Sequence, residues 1–260
     1  MFAASHSFLI KEKPIVKTSL QVCLILLLCA GAAVAQKTKP WTEWSDKDAD
    51  KVLNDSGWGQ TQTESDSSSQ QSSQTSAITS TTAARREDSN ISAAAKIESG
   101  EKKDASVVHY YVRFLTAKPI RAAFVRKVEL QKAPADKVAQ MRAFLERDFG
   151  DFVVITVTMD GNDRKKMTAA AQSLTGATAA ILKATTYLER KDGKRVELLD
   201  YRAPTQDGLG AKFVFPRIVE GLPLIGENTG EVRFVAELGK VKIVRRFKVS
   251  EMMYEGKLEY

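Results

Sequence analysis

Apolar residues follow four patterns along this chain, and each predicts a different kind of segment. From Val22 to Ala35 they run without a charge and are rich in Leu, Ile and Ala. From Trp41 to Gln60 they recur at helical spacing. Trp41 and Trp44 stand at i and i+3, and Val52, Leu53 and Trp58 continue the set, which predicts one short amphipathic helix. Ser45 is its expected cap, with Asp48 three residues on completing a capping box. Asp46, Asp48 and Asp50 put negative charge where a helix N-terminus favours it, and Gly57 is the expected stop. From Thr61 to about Ala105 large apolar residues almost vanish beneath Ser, Thr and Gln, as in Ser67-Ser68-Ser69-Gln70-Gln71-Ser72-Ser73-Gln74. Such a low-complexity stretch cannot offset its ordering entropy by burial and reads as a disordered linker, with a weak helix expected near 93–97.

From Val107 onward the patterning is that of a globular domain. Val107, His109, Tyr111 and Arg113 alternate with Val108, Tyr110, Val112 and Phe114, so 107–115 is an expected strand. Pro119 and Pro134 stand at first-turn positions of helices expected over about 120–130 and on through Phe149. Val138, Met141, Phe144 and Leu145 are the expected core stripe of the second. The β-branched run Phe152–Met159 reads as a central strand buried on both faces. The turn Asp160-Gly161-Asn162-Asp163 then leads into a helix over about 164–174, capped by Asp163. Strands are expected at 180–190 and 195–201 around a Lys191-Asp192-Gly193-Lys194 turn, and at 212–217, 232–238, 240–249 and 253–260. This order predicts an α+β fold: two to three helices packed on a mostly antiparallel sheet, with a C-terminal strand meander. The implied organisation is a signal peptide over 1–35, a short Trp-rich helix over 36–60, the linker over 61–105 and the globular domain over 106–260.

Charge sharpens the reading of the first segment. Lys11, Lys13 and Lys17 precede the apolar run, which ends in Ala33-Val34-Ala35. This is the small-x-small pattern of a signal-peptidase site, with Ala33 and Ala35 as the cleavage residues. The run is shorter than the roughly 20 apolar residues of a spanning helix. Export to the periplasm or the extracellular space is therefore expected. The alternative is an inner-membrane anchor over residues 20–35, and a membrane is a partner only if the segment is retained. Both cysteines, Cys23 and Cys29, and His6 fall inside it. Cleavage leaves His109 as the one histidine, which excludes disulfides, thiolate nucleophiles and Cys- or multi-His-based metal and haem sites. No cofactor is expected.

Residues 106–260 hold 27 Lys+Arg against 19 Asp+Glu. This basic excess is dispersed, and its densest clusters are Arg164-Lys165-Lys166 and Arg245-Arg246. An anionic envelope component is compatible with such charge if Arg164, Lys165, Arg245 and Arg246 share a face; nucleic acid is not expected for an exported chain. His109 sits mid-strand with no Gly-x-Ser-x-Gly elbow anywhere to supply a nucleophile. Gly208-Leu209-Gly210 lacks the Lys-Ser/Thr of a phosphate loop. No catalytic or metal residue is assigned. The three tryptophans, Trp41, Trp44 and Trp58, are the candidate partner-binding residues, either docked on the chain's own domain or held out on the linker toward another envelope protein.

Several segments together resemble a family of bacterial exported proteins. They are Trp41-x-x-Trp44-Ser45, Ser56-Gly57-Trp58, the passage Tyr111-Val112-Arg113-Phe114-Leu115-Thr116-Ala117-Lys118-Pro119-Ile120-Arg121, Lys212-Phe213-Val214-Phe215-Pro216-Arg217, and the ending Arg246-Phe247-Lys248-x-x-x-Met252-x-Tyr254-x-Gly256-Lys257-Leu258. The resemblance spans most of the mature chain outside the linker. It implies export and a shared fold and assigns no activity or site residue. The expected function is a non-enzymatic binding or structural module of the cell envelope. The alternative is a hydrolase using carboxylates or a Ser/Lys pair on an envelope substrate. Mass spectrometry of the exported protein is expected to find Gln36 as its first residue; an intact apolar run would make it a membrane-anchored domain instead.

Overall fold

In the computed structural model of the chain, residues 39–65 and 106–260 are described; the signal segment and most of the expected linker, with its weak helix, lie outside them. Ser45 caps helix α1 (Asp46–Asn54) as expected. Its hydroxyl accepts from the Asp48 amide, and the Asp48 carboxylate accepts from the Ser45 amide at 2.8 Å. The chain then turns through Gly57 directly into strand β1 (Gly59–Ser65). β1 pairs antiparallel along its whole length with β2 (Val107–Phe114), from Gly59 opposite Arg113 to Ser65 opposite Val107. The boundary expected at 60/61 is therefore wrong: residues 61–65 are sheet, and residues 66–106 connect two hydrogen-bonded neighbours. Gln-Thr-Gln-Thr-Glu offers no apolar face to read. Side-chain bonds hold it in place: Thr61 Oγ1 donates to the Asn54 carbonyl, Gln62 Nε2 to the Lys242 carbonyl, and Gln62 Oε1 accepts from the Val244 amide.

β2 leads through Ala117 into α2 (Lys118–Leu130), with Pro119 in its first turn, and then α3 (Ala135–Leu145). The latter stops four residues short of expectation, and of its stripe only Leu145 is buried. β3 (Phe152–Gly161) is central, as its β-branched run predicts. Asp163 caps α4 (Arg164–Gly176), accepting from the Lys166 amide at 3.0 Å. The stretch expected as strand from Ala180 begins instead as a helical turn, α5 (Ala179–Leu182), capped by Thr178. β4 (Tyr187–Arg190) and β5 (Arg195–Glu197) form the expected hairpin, but β6 (Asp200–Arg202) then crosses to another sheet. β7 (Ala211–Pro216), the small hairpin β8 (Ile218–Val219) with β9 (Leu222–Pro223), and the long pair β10 (Glu231–Leu238) and β11 (Val241–Lys248) follow. The last segment is a two-stranded hairpin, β12 (Met253–Tyr254) with β13 (Lys257–Leu258), rather than one strand. Glu255 and Gly256, both at positive φ, turn it back.

The fold is α+β, with two antiparallel sheets ordered β1-β2-β3-β7-β6 and β11-β10-β4-β5. Their inner faces make the core. Phe114 meets Phe247 edge-on at 4.8 Å, Phe213 meets Phe234 at 5.3 Å, and Ile155, Val157 and Leu188 are fully buried among them. Alternation puts Tyr111, Arg113, Thr156 and Thr158 on the opposite face of the first sheet, and α1 and α2 lie over this part of it.

Arg113 fastens that helical layer. Only 7 % exposed, it donates from Nε to the Leu53 carbonyl (2.9 Å), from Nη2 to Asn54 Oδ1 (2.7 Å) and from Nη1 to Thr158 Oγ1 (2.8 Å). Its guanidinium also stacks over Tyr111 and Phe124. Burial pushes it down to about 10, so it is still charged at neutral pH. Arg126 adds a bond to the Trp44 carbonyl, and Lys127 pairs with Asp46 and Asp50. Arg113→Met leaves three buried acceptors without their donor and is expected to cost about 3 kcal/mol in urea unfolding. Arg113→Lys, with a point charge in place of the fork, is expected to fall between the two.

Candidate functional site

The tryptophans proposed as partner-binding residues are placed in the chain's own fold. Trp44 and Trp58 are 8 % and 9 % exposed and belong to the central core, and Trp41 packs half-buried against it. Trp58 Nε1 donates to the Glu259 carbonyl at 2.8 Å, and the ring meets Tyr254 edge-on. Two glycines make this packing possible. A Cβ on Gly57 would lie 2.2 Å from the Glu251 carbonyl oxygen, and one on Gly59 would lie 2.2 Å from that of Leu53. The Trp segment therefore docks in cis, with the indoles of Trp44 and Trp58 closed off and that of Trp41 half-covered.

The other expectations resolve in the same local way. His109 is half-buried, with Nδ1 2.9 Å from Thr63 Oγ1 across the β1–β2 pair. The Asp160–Asp163 turn spends its oxygens on the chain: Asn162 Oδ1 on the Val107 amide, and Asp163 on Ser106 and Lys166. The Ser106 hydroxyl, with the Lys166 amide, holds the Asp163 carboxyl below the usual carboxylate range. Arg245 is half-buried and donates to the Thr61 carbonyl, and Arg246 lies 3.8 Å from Glu231. The Arg245 guanidinium is thus engaged by the main chain of β1. Among the described residues no group of three or more His, Cys, Asp or Glu could hold a metal ion, and no helix is long and apolar enough to cross a membrane.

A sizeable concavity lies elsewhere, on the part of the first sheet that α1 and α2 leave bare. The register sets Phe152, Val154 and Thr156 of β3 opposite Pro216, Val214 and Lys212 of β7, and Val214 and Lys212 opposite Asp200 and Arg202 of β6. One face of these strands floors an open groove of about 840 Å³, within the range of small-molecule sites. Phe144 and the Arg147–Phe149 corner after α3 wall one side, and residues 203–209 wall the other. Gly210, at φ +81°, brings that second wall down onto β3; a Cβ there would lie 2.3 Å from the Val157 carbonyl oxygen. Phe152 and Leu199 reach the opening 45 % and 48 % exposed, whereas Leu115 and Val154 are nearly closed off at its base.

Three carboxylates line the groove, and each has a structural partner. Asp148 accepts from the Gly150 amide at 2.8 Å. Asp200 accepts from the Tyr201 amide and, at 3.4 Å, from Arg202 Nε. Asp207 accepts from the Leu209 amide and from Lys212 Nζ at 2.7 Å. Burial alone would raise Asp207, but Lys212 and the Leu209 amide outweigh it and hold the carboxyl below its ordinary value. Sequence could not find this groove, because it is assembled by the register of three strands from three separate stretches of chain. Comparison with known protein families, with curated proteins and with solved structures finds no match for the chain.

Cis docking makes a spectroscopic prediction. Native tryptophan emission is expected to be that of buried indoles and to shift red only with global unfolding. Trp58→Phe, which loses the bond to Glu259, is expected to lower stability by about 1–2 kcal/mol; water-exposed emission from the folded protein would overturn the assignment.

Proposed function

We propose that this chain is an exported binding module of the cell envelope, and that it binds through the groove over β3, β7 and β6. Export rests on the basic, apolar and Ala33-Val34-Ala35 sequence of residues 1–35 and on the resemblance to exported proteins. One observation carries the binding assignment: Leu115, Phe152, Val154, Leu199 and Val214 give the groove a mainly apolar lining, and every carboxylate on it is tied to a neighbouring donor. A carboxylate hydrolase needs two acids free to face one scissile bond, across about 5–10 Å in glycosidases. Acids used as turn caps and ion-pair partners are poorly suited to that work. A concave apolar surface with few polar groups is the usual form of a ligand site.

The neutral dye N-phenyl-1-naphthylamine is the direct test. Saturable fluorescence enhancement is expected with the intact protein, weakened about tenfold or more by Leu199→Asp, which sets a charge at the apolar mouth. Asp148→Asn, Asp200→Asn and Asp207→Asn are expected to change it less than twofold. An esterase or glycosidase activity of the purified protein that disappears in one of these Asn variants would overturn the reading in favour of a hydrolase.

A further inference from the structure

At the corner where α3 ends, the groove adjoins a second recess of about 250 Å³. The two share Arg147, Asp148 and Phe149 and otherwise differ in character. The groove is apolar, whereas the recess is lined by Arg121, Arg147 and Arg217 against the side chains of Asp148 and Glu259. The ring of Phe149 lies between two guanidiniums, with Arg121 Cζ 5.1 Å and Arg147 Cζ 5.4 Å from its centroid. Two of the three arginines are used by the fold. Arg121 is 7 % exposed and donates to the carbonyls of Leu115, Thr116 and Leu145. Arg217 donates to the main-chain oxygens of Phe152 and Tyr260. Arg147 is different: it is exposed, pairs with no carboxylate among the described residues, and rests only on Phe149. Its neighbour Asp148 has turned to cap the Gly150 amide instead.

A mainly apolar groove meeting, at the corner it shares with the recess, a cation paired with no carboxylate among the described residues and backed by two more guanidiniums is complementary to a molecule with the same division. We infer that the groove takes a single-chain anionic amphiphile, with its alkyl chain along Val154, Val214 and Leu199 and its acidic headgroup at Arg147. The inference rests on the groove being the binding site and adds the class of ligand. Phe149 fits the junction, since its ring can cover the first methylenes while the guanidinium above it stays oriented toward the headgroup. The buried Arg121 contributes fixed positive potential behind the site. Burial lowers its pKa, while Glu259, Glu146 and Asp148 act to raise it and Arg217 lowers it further.

Displacement of N-phenyl-1-naphthylamine from the whole protein by sodium dodecanoate, below its micelle concentration, tests this. 1-Dodecanol matches the chain without the charge, and inorganic phosphate matches the charge without the chain. Dodecanoate is expected to compete about three- to tenfold better than dodecanol, the range an exposed, charge-assisted contact supports, and phosphate is expected not to compete. Arg147→Gln is expected to abolish the preference by weakening dodecanoate, and Arg147→Glu to reverse it; the position is exposed, and an unchanged urea midpoint confirms folding. Equal competition by dodecanoate and dodecanol, unaltered by Arg147→Gln, would overturn the headgroup assignment and leave an apolar binder. Competition by phosphate would move recognition to the recess and overturn the amphiphile. A concentration-dependent dimer dissolved by Leu199→Asp would give the groove to a second copy. Absence of dye binding altogether would overturn the groove reading itself.

Discussion

A guanidinium buried with no carboxylate beside it is an expensive object, and Arg113 is tolerable only because of where the end of α1 lies. The last turn of a helix presents carbonyls with no partner along the helix and carries partial negative charge. Arg113 takes the Leu53 carbonyl and the Asn54 side chain there, and Thr158 on the neighbouring strand β3 supplies the third acceptor. The sheet's cation and the helix's unpaired acceptors thus satisfy each other. Neither could be buried alone without leaving a charge or a carbonyl stranded in the interior. This fixes the height and angle of α1 over the sheet. The position of α1 in turn fixes Gly59 beneath Leu53, the entry of β1, and the site where Trp58 meets the C-terminal segment.

It follows that the N-terminal segment is a structural part of the domain and not an appendage. β1 pairs with β2 at seven successive positions, so residues 66–106 leave and re-enter the sheet at adjacent strands. Loop-closure entropy grows only logarithmically, about 0.6 kcal/mol for each doubling of length, so a long connection between paired strands is thermodynamically ordinary once β1 is held at both faces. The anchoring of β1 is unusual in being polar. Gln62 clasps the edge of β11 through both ends of its amide, and Arg245 returns a bond to Thr61. These contacts close the seam between the two sheets along one side.

What could be read from sequence divides along physical lines. Elements with an apolar face or a strong local signal were legible: β2 by its alternation, β3 by its continuous β-branched run, α1 by its Ser45–Asp48 box, α2 by Pro119, and the β10–β11 hairpin turning at Gly239. β1 was not, because a strand held by glutamine and threonine side chains has no hydrophobic period to detect. Residues 180–186 misled for the opposite reason: Ala-Ile-Leu and two threonines suit a strand by composition, yet Thr178 caps a helical turn that delivers Leu182 to the core. The groove was beyond reach in principle. Phe152, Val214 and Asp200 become neighbours only through strand register, and Arg147 gains meaning only from the acid it does not meet.

The groove also follows from how few helical residues the chain assigns to the outer face. Of its longer helices, α1 and α2 are committed to β2 and the far half of β3 by the Arg113 contacts, and α3 lies beside α2 through the Arg142–Glu129 pair. α4 and α5 are drawn the other way, supplying Ala170, Leu174 and Leu182 to the core between the sheets, with the Tyr201 hydroxyl bonded to the Leu174 carbonyl. Among the described residues no helix is left for the near half of β3, β7 and β6. A sheet face in that position normally turns polar, as Lys212, Asp200 and Arg202 do. Phe152, Leu199 and Val214 do not, although leaving such side chains in contact with water forgoes about 25 cal/mol for each Å² that burial would remove. Apolar groups retained on a bare sheet face, in a fold that finds partners even for the Arg113 guanidinium and the Gln62 amide, are most simply explained by something that covers them.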